Sequence, residues 1–390
     1  MKTLFILSTL ITVTLCTPEN ALGSPPRAVS IVRVPNGGIQ PQVVERDGVV
    51  HLLYFAGNAK SGDLFYVRSS DYGATFTAPM HVNHRPGSAI AVGNIRGAQL
   101  ALGPTGRVHV AWNGAYQEDI PGVAEPYMRA PMLYTRLTDA GTAFEPERNV
   151  IHAARGLDGG GSLAADLDGN VYVFWHAPIP GQKGEENRRI WMAKSTDDGR
   201  SFAPEVVAYD QPTGVCGCCG MRAFAGKGGS LYVLFRSAND VVNRDMYLLS
   251  SNDRGRTFQG ADISKWNVGA CVMSSASLAQ APAGVLAAWE TEKQVYFSRV
   301  KVGTDQITSP VPAPGPPVNR KYPSVASNTR NETLLAWTEG MGWNKGGVAA
   351  WQVYDQDGHP APIHGKAEGV PVWSLIAAFT HPDGSFTIVY

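Results

Sequence analysis

The sequence predicts an all-β chain, and three observations predict it: a turn-rich, charge-poor composition, a recurring hairpin, and an acidic turn that keeps phase with the hairpin. The 390 residues include 43 Gly and 27 Pro but only 17% charged residues, against about 25% charged in an average chain. Turn formers mixed with aromatics read as many short strands. The hydrophobic share of 44% is enough to build a core and excludes a disordered chain. Lys and Arg (33) balance Asp and Glu (33). This excludes a nucleic-acid surface built on bulk positive charge, and a polyacidic tail as well.

The hairpin recurs seven times. It begins with a short apolar segment, turns through Gly or polar residues, and ends in an alternating strand closed by an aromatic. Its copies close at Tyr54, Trp112, Trp175, Phe235, Trp289, Trp337 and Tyr390, about 50 to 60 residues apart, the spacing of a repeat architecture. Both faces of each hairpin are apolar, as in strands packed between neighbouring sheets.

The acidic turn is Ser69-Ser70-Asp71-Tyr72-Gly73-Ala74-Thr75-Phe76. It returns as Ser195 to Phe202, with Asp197 and Gly199, and as Ser251 to Phe258, with Asp253 and Gly255; Thr138 to Phe144 is a worn copy. Its physics is that of a pinned turn: Asp accepts backbone N–H bonds, Gly takes positive φ, and the aromatic tucks beneath. The turn follows each hairpin at a distance that makes it the link between third and fourth strands. A four-stranded unit repeated at this period is a blade of a β-propeller. Seven hairpins predict seven blades, with six as the alternative. Val29 to Val34 is expected to close the ring as an outer strand beside the last hairpin.

These turns are Asp boxes (BNR repeats), and through them the chain resembles the sialidase superfamily over nearly all its length. The resemblance implies a glycan-active propeller whose ligand site lies on the axial face opposite the Asp boxes. It implies an arginine triad, an Asp general acid, and a Tyr nucleophile activated by Glu. Asp63 occupies the region of the family's general acid. Gln40, in Ile39-Gln40-Pro41, stands where the family has its first arginine. Trp373-Ser374 stands where the family has Tyr-Ser, so Tyr322 is the substitute nucleophile, with Glu290 or Glu339 as its partner.

On the same face, the loops that lead into the inner strands carry Arg96, Arg155, Arg222 and Arg320, with Trp373 in the last. Converging guanidinium groups bind a carboxylate, sulfate or phosphate through paired hydrogen bonds, which suits an anionic glycan; the alternative is that each pairs with a local acid, as Arg155 with Asp158. His176 is a further general-base candidate. His51 and His109 hold equivalent strand positions and read as packed repeat residues.

Cysteines mark a departure from the family. Cys216, Cys218 and Cys219 precede the fourth inner strand and Cys271 precedes the fifth, so adjacent blades bring all four together. Two disulfides are expected of an exported chain, in any of three pairings. The alternative is a thiolate site for Zn or Cu(I); no other cofactor is expected.

Residues 1–23 read as a signal peptide: Lys2, an apolar run from Leu4 to Leu15 that is too short to span a membrane, and small residues before Ser24. Residues 24–390 then form one exported propeller, secreted or periplasmic. Three functions follow: a sialidase-like glycosidase acting on an anionic glycan, a non-catalytic glycan- or protein-binding propeller, and a metal or thiol protein built on the cysteines.

Overall fold

A computed structural model describes residues 29–240 and 242–390; the expected signal peptide lies outside them. Alternating apolar strands separated by Gly, Asn and Asp turns fold into seven sheets, six antiparallel ones of four strands and one mixed one of three. Blade 1 is Ile39–Arg46, Val49–Asn58, Ser61–Ser69 and Met80–His81. Blades 2 to 6 repeat it, with inner strands Gln99–Leu102, Ser162–Ala165, Arg222–Ala225, Ala276–Ala281 and Arg320–Ser327. Blade 7 has Ala377–Thr380 and Phe386–Val389, completed by Val29–Val32.

Each inner strand touches the next, and the seventh touches the first, so the ring closes. Closure is the predicted one. Val29–Val32 pairs parallel to Phe386–Val389 and is the third and outermost strand of its blade. The seventh inner strand starts at Ala377, because the segment before it is spent on a turn in which Ser374 N–H donates to Pro371 O at 3.1 Å. The inner strands enclose an axial cavity of about 520 Å³.

The core lies between blades. All seven hairpin-closing aromatics are buried, each contributing about 2–3 kcal/mol by leaving water. Repetition extends to buried polar pairs. His51 Nδ1 meets Tyr66 Oη at 2.6 Å in blade 1, and His109 Nδ1 meets Tyr134 Oη at 2.7 Å in blade 2.

The acidic turns have the geometry their sequence implies. In the first, Asp71 accepts the Thr75 N–H at 2.8 Å while Ser69 Oγ accepts the Gly73 N–H at 2.7 Å. Gly73, Gly199 and Gly255 all take positive φ, 90°, 77° and 76°. The turn aromatic reaches into the preceding blade: Phe202 packs edge-on to Tyr134 with centroids 4.7 Å apart. These turns therefore staple neighbouring sheets. No helix among the described residues is long and apolar enough to cross a membrane.

Candidate active site

The loops leading into the inner strands depart from the repeat, and their backbone shows it. Non-glycine residues take left-handed φ at or beside the start of five inner strands: Gln40 at 55°, Asn94 at 63°, Met273 at 45°, Tyr322 at 49° and Trp373 at 61°. Such conformations cost roughly 1–3 kcal/mol each and persist where surrounding contacts over-determine them. Gln40 and Tyr322 also lie in register breaks of their strands, between Ile39 and Gln42 and between Lys321 and Ser324. Bulges of this kind re-aim side chains.

The segment from Ala91 to Gly97 crosses this face. Gln40 Nε2 donates to Ala91 O and to Trp373 O, both at 2.7 Å, and Asn94 Nδ2 donates to Ser374 O. Ile95 is 4% exposed and packs in one apolar cluster with Tyr322, Leu375 and Ile376. Its carbonyl lies so close to Gly160 that a Cβ there would overlap it. Blades 1, 3 and 7 thus hold down a loop of blade 2 over the axis.

Beneath it lies a polar cluster from blades 4, 5 and 6. Glu290 is 1% exposed. Its Oε1 lies 3.5 Å from Lys321 Nζ, and its Oε2 has no hydrogen-bond partner among the described residues. Burial, which outweighs the attraction of Lys321 and Arg236, raises its pKa to about 7. Lys321 Nζ also donates to Val272 O at 2.6 Å. Burial, and next the charge of nearby Glu290, push the Tyr322 phenol well above its ordinary pKa. A buried carboxyl with a pKa of about 7 therefore lies near enough to the Tyr322 phenol for its charge to act on it.

Arg222 lines the same axial cavity as Tyr322. Its Nη1 donates to Gln42 Oε1 at 2.8 Å and also to Gln99 Oε1, while Nε reaches Ala276 O at 3.3 Å. No carboxylate pairs with it among the described residues, and burial lowers its pKa to about 10; it stays charged at neutral pH.

The other expected site residues are dispersed. Arg96 Nη2 pairs with Asp158 at 2.7 Å, so the local partner of Asp158 is Arg96, not Arg155. Among the described residues Arg155 donates only to His152 O, at 3.1 Å. Arg320 turns outward between blades 5 and 6, donating to Gln294 Oε1 and Pro314 O and pairing with Glu339 at 3.3 Å. Glu339 also takes Lys366 and the Trp337 indole N–H. Burial raises its pKa, but these partners overcome the effect and hold it below the ordinary range. Arg320 and Glu339 satisfy each other, which removes both from the axis and corrects the expectation of four converging guanidinium groups.

Asp63 accepts the Asn83 amide at 2.8 Å and the Gly87 N–H at 2.7 Å. It braces the segment after its own strand, and no contact joins it to Glu290 or Tyr322. His176 is fully buried, with Nδ1 bonded to Arg188 Nη1 at 3.0 Å. Burial, with Arg188 and Arg96, keeps it neutral, so it cannot serve as an exposed base. Trp373 packs edge-to-face on exposed Trp343, centroids 4.8 Å apart, an aromatic platform at the rim. Sequence reasoning missed Arg236 and Ile95. A charged residue directly after the hairpin aromatic Phe235 was the available signal for Arg236; Ile95 had none, because an isolated apolar loop residue reads as noise.

The cysteines meet as expected but pair differently. Cys218 and Cys271 form a disulfide across blades 4 and 5 with Cα atoms 6.3 Å apart, and Cys216 and Cys219 stay free and buried. One disulfide therefore replaces the expected two.

No protein-family model matches the chain, and no curated protein sequence matches it. Its fold matches solved structures. The Hadza microbial sialidase Hz136 superposes with a TM-score of 0.52 at 14% identity, over 83% of this chain and 70% of its own. An ulvan lyase of polysaccharide lyase family PL25 gives 0.53 at 13% identity, over 91% and 87%. The α-L-arabinanase of Penicillium chrysogenum gives 0.52 at 12%, over 85% and 99%. At these identities the likeness is one of fold alone, the β-propeller shared by these glycan-active proteins.

Proposed function

We propose that this chain is a glycan-processing enzyme, a retaining glycosidase in which Tyr322 is the nucleophile and Glu290 its base. The observation that carries the reading is that Tyr322 lines the axial cavity together with Arg222, which has no acidic partner among the described residues, while the charge of buried Glu290 acts on the Tyr322 phenol. The solved neighbours described as sialidase, ulvan lyase and arabinanase support a carbohydrate substrate. In the first step Glu290 accepts the phenolic proton as Tyr322 Oη bonds to the anomeric carbon. The aglycone oxygen takes a proton from solvent and leaves. Water then attacks the same carbon and gives a proton to solvent as the bond to Tyr322 Oη breaks, and the released phenolate regains its proton from Glu290, the two-step route of retaining enzymes.

Arg222 would bind the acidic group of an anionic sugar, since a guanidinium without a carboxylate in a confined polar cavity favours an anion. Substrate reaches Tyr322 from the axial face only when the Ala91 to Gly97 segment lifts, so binding includes opening that segment. Residues 1–23 support export, which puts extracellular glycans within reach. The test is sugar release from a panel of sialylated, sulfated, uronic-acid and neutral glycans by the wild type and by Tyr322→Phe. Release from anionic members that falls at least about a thousandfold in the variant supports the reading. Absence of release from every member overturns it.

A further inference from the structure

The two free cysteines carry an inference independent of glycan chemistry. We propose that Cys216 and Cys219 form a two-sulfur binding site for a soft, monovalent d¹⁰ cation of the copper(I) class. The Sγ atoms of Cys216, Cys218 and Cys219 lie within 4.8 Å of one another. Cys218 is committed to Cys271, and its Sγ sits 3.6 Å from that of Cys216. The pair left over has C-x-x-C spacing, and both members are buried, at 0% and 3% exposure. No imidazole or carboxylate joins the cluster among the described residues.

The turn that presents them is fixed from several sides. Cys216 N–H donates to Arg236 O at 2.9 Å, and Gly220 N–H to Ser274 O at 3.0 Å. Gly217 N–H donates to Glu185, whose other oxygen takes Arg244. Supporting contacts of this kind orient a metal's ligands before the metal arrives. Val272 and Trp266 complete an apolar wall.

Arg236 supplies the charge argument. It is 1% exposed, and its hydrogen bonds go to Ser274 Oγ at 2.7 Å and to the carbonyls of Arg244 and Glu290. It forms no ion pair with a carboxylate among the described residues, although an unpaired buried charge is costly. Ser274 Oγ in turn lies 3.7 Å from Cys219 Sγ, which links the guanidinium to the sulfur pair. Two thiolates around a monovalent cation carry one net negative charge, which Arg236 neutralises. Two thiolates around a divalent cation carry none, which leaves Arg236 with the charge of Glu290 and the face of the Trp266 ring. Zinc, moreover, takes four ligands in structural sites, and among the described cysteines only Cys216 and Cys219 are free. Soft thiolates select copper(I), which accepts a two-coordinate arrangement. Binding forms two metal–sulfur bonds and releases the thiol protons to solvent, with no change of oxidation state and no opening of the disulfide.

The test uses the full chain, purified anaerobically with its disulfide intact and titrated with copper(I) against bicinchoninate. One copper(I) per chain, with two sulfur neighbours by X-ray absorption, is expected. Cys216→Ser and Cys219→Ser should each lose at least about a hundredfold in affinity, and Ser274→Ala, which keeps both sulfurs, about tenfold. If the cysteine variants fail to fold, wild-type absorption and Ser274→Ala decide. A count of zero free thiols in the unreduced chain overturns the proposal. So does failure of the wild type to take copper from the chelator, or a first shell of four sulfurs or of nitrogen and oxygen.

Discussion

The face that carries the acidic turns and the face that carries Gln40, Asn94, Met273, Tyr322 and Trp373 handle polar groups in opposite ways. In the turns every carboxylate is engaged. Asp71, Asp197 and Asp253 each accept hydrogen bonds within their own eight-residue segment, which holds their pKa values down at about 2, and only the glycines and their immediate predecessors take positive φ. On the axial face Gln40 Oε1, His176 Nε2 and Glu290 Oε2 are buried without hydrogen-bond partners among the described residues. Where the repeat is kept, Asp71, Asp197 and Asp253 are satisfied within their own turns, and the turns staple blade to blade. Where it breaks, polar groups from different blades are left available for a ligand.

Substitutions can break this contrast, and the largest effect belongs to the axial face. Tyr322→Phe should lower turnover by at least about a thousandfold while leaving the melting temperature within a degree or two. Glu290→Gln should cost about a hundredfold or more and remove a pH dependence. Burial raises Glu290 to about 7 in the folded chain, so turnover needing its carboxylate should climb as pH rises through 7, and this limb should vanish in the variant. Stability has the opposite sign. The folded state holds this proton more tightly than the unfolded one. Its contribution is therefore full below about 4.5, the ordinary glutamate value, and falls as pH rises from there through 7. Glu290→Gln should accordingly gain stability relative to wild type between pH 5 and 8, measured by thermal melts at each pH.

Glu339→Ala separates stability from chemistry. It strands the buried Arg320 guanidinium, which costs roughly 3 kcal/mol, seen as a lower denaturant midpoint with turnover per folded molecule unchanged. Ile95→Gly should loosen the segment over the axis and lower KM several-fold. The smallest effect belongs to a single acidic turn: Asp197→Asn should lose about 1 kcal/mol. For the wild-type turns, stability is present above the ordinary 3.8 and is lost as pH falls toward 2.

The contrast also explains what was legible in the sequence. Blade number, inner strands and acidic turns could be read because each is specified locally, by residues within one segment, and then repeated. His51 and His109 were legible for the same reason. The site was less so, because its geometry is set between blades. Arg96 finds Asp158 some sixty residues on, and Arg222 finds Gln42 and Gln99 across the cavity. Nothing near Arg320 in the sequence shows that its bulged strand turns it outward to Glu339. The pairing of Cys218 with Cys271 was open for a related reason: three neighbouring sulfurs face one distant partner, and only the loop geometry chooses among them.

Tyr322, lifted out of the repeat by its bulge and served by Glu290, is the residue proposed to bond to sugar, and that role is open to direct observation. Its most direct test is to quench the wild-type chain with acid during turnover of an anionic glycoside and map the digested peptides by mass. The account predicts a glycosyl adduct on Tyr322 that is lost when turnover is allowed to finish. An adduct on another residue, or an unmodified Tyr322 in a sample that is turning over, would contradict it.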